Sequence, residues 1–265
     1  MRSRTSAAAA MAFRDQFRRP LVPILLVIVP VLIVVIAVAQ TEPSPRQIEL
    51  PGGTWVTTTM KALHGPEMAK FAVAFVAALV GVFVMRASLQ GDRRLIVAGF
   101  RLREAVVARV LVLTTATLVT VAVAALVTAF EFTPAAWPPV VGGLILVGLI
   151  YAAIGALAGA LLDKLPATYL ILFLGMSDLG VVQTPMFHAR PVTLAWLLPG
   201  YAPSRVMLEG AYSPTFNAGG ELLLALAWTA ALAVCVWFVL CQALGVTGNS
   251  HRTDRRTSLD LHGQA

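Results

Sequence analysis

The sequence predicts an all-α integral membrane protein of six transmembrane helices with both termini cytoplasmic, and three observations predict it. The chain of 265 residues is 58% hydrophobic and only 12% charged, with a mean hydropathy of +0.81, far outside the range of a soluble domain. Its apolar residues gather into runs able to cross roughly 30 Å of hydrocarbon at about 1.5 Å per residue. Its 20 basic residues lie between those runs and at the chain ends. With both termini inside, 15 of these are cytoplasmic against 5 outside, the asymmetry that orients helices in a bilayer.

Residues 1–19 are polar and basic, and Ala9, Ala10, Phe13 and Phe17 recur at helical spacing opposite Arg14 and Arg18. This predicts a cytoplasmic amphipathic helix lying on the inner membrane surface. The first span is 20–39, whose uncharged run from Leu21 to Ala39 carries Pro30 in its middle, where a kink is expected. Ala37-Val38-Ala39 has the small-x-small form of a signal cleavage site, but the run is longer than a typical signal core. The prolines and glycines of Thr41 to Pro66 read as a polar outer loop. The second span, 68–86, is short, because Lys70 and Arg86 bracket only 15 uncharged residues; Lys70 is expected to snorkel outward and Arg86 inward.

Ser88 to Val110 is the stretch that is both densely charged and regularly interleaved with apolar residues. Asp92, Arg93, Arg94, Arg101, Arg103, Glu104 and Arg109 alternate with Leu95, Ile96, Val97, Phe100 and Leu102. Two short amphipathic helices separated by a turn fit the pattern, with Gly91 and Gly99 as breakpoints and Asp92 as the N-cap of the first. Any cytoplasmic loop tends to be basic. A loop meant only to be solvated, however, has no use for Leu-Ile-Val followed by Gly-Phe, so 87–105 is read as a cytoplasmic lever.

The third span is 106–130, with an uncharged run from Val110 to Phe130, and Glu131 to Pro134 is a tight outer connection. Pro138 and Pro139 open the fourth span, 139–162. Its small residues Gly148, Ala152, Gly155, Ala156, Gly159 and Ala160 include the Gly155-x-x-x-Gly159 spacing that lets helix backbones approach closely. That stripe is read as packing within the chain. Asp163-Lys164 is a minimal inner turn, and Pro166 starts the fifth span, 166–183. Asp178 stands about 21 Å up that helix from Lys164 and needs a partner or water. Flanking Gly175 and Gly180 predict a broken helix lining a cavity. Two readings of Asp178 stand side by side: a structural carboxylate bonded to neighbouring hydroxyls or broken-helix amides, or, with Ser177, the lining of a substrate cavity.

In 184–220, prolines alternate with Phe187, Trp196, Tyr201, Tyr212 and Phe216, and Val192 to Leu198 is too apolar to be solvated and too short to span. A re-entrant extracytoplasmic hairpin with its aromatics at headgroup depth satisfies both facts. The sixth span is 221–244, and the tail 246–265, without apolar pattern, is expected to be disordered.

Motifs for chemistry are missing from the sequence. It contains no Gly-Lys pair and hence no phosphate loop, no His-x-x-x-His pair and no Gly-x-Ser-x-Gly elbow. Cys235 and Cys241 give no disulfide framework and no metal site. No nucleic-acid partner is expected, since few aromatics are interleaved with the basic residues. The chain is therefore read as a non-enzyme that holds no cofactor and no metal.

Taken together, the amphipathic start, the basic two-part loop between spans two and three, and the proline-aromatic segment before the last span resemble the permease subunits of type-2 ATP-binding-cassette (ABC) transporters. The resemblance covers the whole chain. Its local matches are Gly91-Asp-Arg-Arg-Leu-Ile-Val-Ala-Gly-Phe-Arg-Leu-Arg-Glu-Ala-Val-Val-Ala-Arg, Tyr151-Ala-Ala-Ile-Gly-Ala-Leu-Ala-Gly and Leu198-Pro-Gly-Tyr-Ala-Pro. Many relatives carry a proline at the joint where this chain has Gly99-Phe100. The resemblance implies the permease of an ABC exporter in the plasma or inner membrane, moving a hydrophobic or amphipathic substrate by alternating access. It also implies pairing with a second permease, as homodimer or heterodimer, and with two ABC ATPase subunits that hold ATP-Mg. The segment Ser88 to Arg103, with Asp92, Arg93, Arg94, Leu95, Ile96, Phe100 and Arg101, would then be the coupling helix. Ala9 to Arg19, with Phe13, Arg14, Phe17 and Arg18, would be the interface helix. The alternative is a non-transporting membrane sensor or assembly module whose loop recruits a cytoplasmic partner.

Overall fold

A segment crossing hydrocarbon must satisfy its backbone amides internally, which an apolar run does by becoming a helix. The computed structural model describes residues 21–97 and 102–245. Its elements are α1 (Leu21–Ala39), β1 (Pro45–Glu49), β2 (Trp55–Thr59), α2 (Met60–Val97), α3 (Leu102–Glu131), α4 (Trp137–Leu161), α5 (Lys164–Gly175), α6 (Tyr201–Tyr212) and α7 (Gly219–Gly245). Among the described residues five stretches are long and apolar enough to cross a membrane: Met60–Ala87, Val106–Glu131, Trp137–Leu161, Lys164–Val182 and Gly219–Gln242. The helix α1, Leu21–Ala39, is a further uncharged apolar helix of 19 residues. The chain is a multi-pass, largely helical membrane protein.

The second helix departs from the sequence expectation at both ends. It begins at Met60, not 68, because Thr59 Oγ1 accepts the Ala62 amide at 3.2 Å and caps the first turn. It then runs for 38 residues to Val97, about 57 Å at 1.5 Å per residue. The helix passes through Gly91, so Asp92 lies inside it and not at a helix start. The two short helices expected in 87–105 are instead the far end of α2 and the near end of α3, because an established helix extends at the cost of one residue per hydrogen bond, without a new nucleus.

Pro66 falls within this helix and leaves the Ala62 carbonyl, four residues earlier, without its helical donor. The Tyr212 hydroxyl takes that place, donating to Ala62 O at 3.0 Å. Burial, and after it the charge of Glu67, pushes the Tyr212 hydroxyl well above its ordinary pKa, so it remains a donor at physiological pH.

The segment expected to be a polar loop holds an antiparallel hairpin, β1 with β2, in the register Pro45 to Thr59 through Glu49 to Trp55. Its turn needs glycine: Gly52 and Gly53 have φ of +80° and +79°, a region costly for residues with a Cβ. The hairpin seals the bundle end with Ile48, Leu50, Leu63 and Leu208 in a small apolar core.

At the centre, α2 and α4 cross backbone to backbone. A Cβ at Gly155 would lie 2.0 Å from the Ala78 carbonyl oxygen, one at Gly159 2.7 Å from that of Val82, and one at Gly81 2.4 Å from that of Ala152. The small-residue stripe of the fourth span is thus spent on contact within the chain. Residues 184–220 form an irregular stretch with a short helical turn at Ala195–Leu197, followed by α6. Almost all of α6 is buried, laid along the start of α4, and Gly143 and Gly210 permit the approach: a Cβ on either would come within 3 Å of the other helix.

Candidate functional site

Two regions carry charge in positions that hydropathy alone does not explain. The first is the continuation of α2 beyond its apolar part. From Arg86, which ends the uncharged run, to Val97 the helix extends about 16 Å further and carries Asp92, Arg93, Arg94, Leu95 and Ile96 on its final turns. α3 resumes at Leu102, eight residues before its uncharged run begins at Val110. Phe100 and Arg101, like Phe13, Arg14, Phe17 and Arg18, lie outside the described residues. Where this extension leaves the span, Arg86 donates to the Asp163 carboxylate of the α4–α5 turn, and Lys164 sits 5.0 Å over the Phe83 ring. Asp163 is 91% exposed, so the pair is a surface one. Asp163→Asn is expected to lower stability by less than about 1 kcal/mol, an effect that vanishes in high salt; thermal unfolding in detergent at two ionic strengths measures it.

The second region is a buried polar network. α5 does not break at Gly175 as the flanking glycines suggest. It widens into a π-helix over Met176–Val182, in which the Gln183 amide reaches back to the Asp178 carbonyl at 2.8 Å. A π turn resets the helix phase, and here it carries Asp178, 1% exposed, into the bundle. Its Oδ2 accepts the Tyr151 hydroxyl of α4 at 2.6 Å and the Gly200 amide at 2.9 Å. A Cβ at Gly200 would fall 2.7 Å from that same oxygen, so glycine there lets the backbone reach the carboxylate. Asp178 Oδ1 has no hydrogen-bond partner. Ser177, half-buried beside it, takes no part in these bonds.

On α2, Lys70 Nζ donates to Glu67 Oε2 at 2.7 Å, with both side chains enclosed at 0% and 2% exposure. The outward snorkelling expected of Lys70 does not occur: the early start of α2 sets Lys70 three turns inside the helix, with a counter-ion one turn away. On α6, Glu209 is 1% exposed; its Oε1 accepts the backbone and side-chain nitrogens of Asn217 at 3.1 and 3.3 Å. Arg205 donates to the Glu49 carbonyl at 2.6 Å, and Arg46 to the Met186 carbonyl at 2.7 Å. These bonds knit the hairpin, the 184–200 stretch and α6 into one polar cap.

Beneath that cap Glu67, Gln183, Thr184, His188, Ser204 and Arg205 line a cavity of about 20 Å³, room for one water. Among the described residues no three His, Cys, Asp or Glu side chains are grouped to hold a metal ion. These hydrogen bonds hold the buried charged groups at fixed positions. Sequence reading singled out Asp178 but not Tyr151, Glu67, Glu209 or Arg205. A signal was present for Glu67 and Lys70, an acid and a base three residues apart in an apolar helix.

No family model matches the chain, and no curated protein matches it.

Proposed function

We propose that this chain is the transmembrane permease subunit of an ABC exporter. In this reading it moves a hydrophobic or amphipathic substrate across the plasma or inner membrane, while two separate ATPase subunits hydrolyse ATP. The observation that carries the reading is the uninterrupted helix from the apolar part of α2 to Val97. A soluble motor acting on its charged end would move one stiff body, because a continuous helix does not absorb the push in a hinge. That body is also the most enclosed in the bundle and meets α4 through bare backbone, so its displacement must repack the core. Within this scheme Leu95, Ile96 and Phe100 fill an apolar groove on the ATPase, and Asp92, Arg93, Arg94 and Arg101 set its register by charge. The interface helix with Phe13, Arg14, Phe17 and Arg18 supports the same contact, and a second permease copy completes the pathway.

Gentle purification of the full chain from its own membrane is expected to bring an ATP-binding subunit with it. Leu95→Asp with Phe100→Asp is expected to release that subunit while membrane insertion stays intact. Retention of the subunit by the double variant overturns the lever. A co-purified ATPase whose turnover no hydrophobic substrate stimulates, in vesicles containing the whole complex, points instead to a recruitment module.

A further inference from the structure

The geometry points to a lipid site that does not depend on the permease reading: a lateral cavity between α3, α4 and α7 that holds one acyl chain of a membrane lipid. The cavity measures about 130 Å³. Its floor is Val106, Leu113, Ala152 and Val236, all buried, and its mouth is Val110 and Trp237, exposed at 47% and 41%. α7 packs on α4 but touches α3 only sparsely, and the cavity is the space left between the latter pair.

Three facts select the occupant. The walls are apolar except for Thr114 and Thr229, and the Thr229 hydroxyl is turned away into its own helix, donating to Ala225 O at 2.8 Å. Water has almost nothing to bond there, and an apolar cavity of about 150 Å³ is known to stay dry and to take a benzene-sized guest. The surface around the mouth is Val107, Leu111, Val234 and Phe238, all exposed, so the cavity opens onto the surface that a membrane-embedded bundle gives to lipid tails. Finally, Ala153 and Ala233 on its rim leave the width of a hydrocarbon chain where larger side chains would close the gap. A chain segment from a neighbouring lipid enters sideways and replaces dispersion contacts that the empty space forfeits.

The test uses the full-length protein in phosphatidylcholine and phosphatidylglycerol vesicles containing a trace of phosphatidylcholine with a photoactivatable diazirine in one acyl chain. After illumination, peptides 106–114 and 229–237 are expected to be labelled well above the α1 peptide carrying Leu32, Val35 and Ile36, which is comparably exposed but lines no part of this cavity. Ala153→Leu, which fills the cavity from α4, is expected to reduce that labelling to the α1 level. If Ala153→Leu fails to fold, Ala233→Leu closes the mouth from an exposed position and is expected to give the same loss. Equal labelling of α1 and the cavity peptides in the unmodified protein, or an excess that survives filling, overturns the site.

Discussion

Replacing Gly155 by leucine is expected to leave no folded protein. The position faces Ala78 across the α2–α4 crossing, where even the first side-chain carbon would sit 2.0 Å from a carbonyl oxygen. Neighbouring side chains cannot turn aside, because the obstacle is backbone. The two helices would have to part along the whole stripe that includes Gly81 and Gly159, exposing a core built from Ala74, Ala78, Val82 and Tyr151. Overpacking a core costs about 1–3 kcal/mol when side chains can adjust, and this site lacks that outlet. Gly155→Ala is expected to behave nearly as badly. Gly142 is the control, since a Cβ there would meet no atom within 4 Å: Gly142→Ala is expected to be neutral, or stabilising by up to about 1 kcal/mol through helix propensity. The monodisperse fraction after detergent extraction separates the three variants, and a well-behaved Gly155→Leu protein would refute the crossing.

Lys70→Met carries the second large effect. It leaves Glu67, 2% exposed, without its counter-ion, and breaking a buried pair from one side costs about 3–5 kcal/mol. Adding Glu67→Gln is expected to restore most of the stability, because the cost lies in the abandoned charge and not in the lost bond. The double variant should therefore unfold at a higher temperature than Lys70→Met alone. If the two losses merely add, Glu67 and Lys70 are not coupled.

The helices were legible because hydropathy is a local property: each long apolar run became a helix, and the small-residue stripe foretold a close approach. The hairpin was also written in the sequence. Arg46-Gln-Ile-Glu and Trp55-Val-Thr-Thr-Thr flank Pro51-Gly-Gly, strand-like runs around a turn, but the density of prolines outweighed the alternation. The start of α2 was hidden by Pro66 and Glu67, which look like breaks until the Tyr212 hydroxyl and Lys70 are seen to answer them. Gly175 and Gly180 marked an irregularity at Asp178, but not that it would be a π turn. Its partners lie 27 and 22 residues away, at Tyr151 and Gly200, and the phase of the helix follows from those distant groups.

The bond from Tyr212 to Ala62 bears on how the chain is made. The acceptor and donor are 150 residues apart, roughly 8–30 s of synthesis at about 5–20 residues per second. Throughout that interval α2 is already translated, yet its proline-opened turn has no internal donor, and a bare carbonyl in hydrocarbon costs several kcal/mol. An early helix of this protein is completed only by one of the last segments to emerge. Ala62 must therefore stay hydrated at the membrane surface, or lean on the insertion machinery, until α6 is delivered.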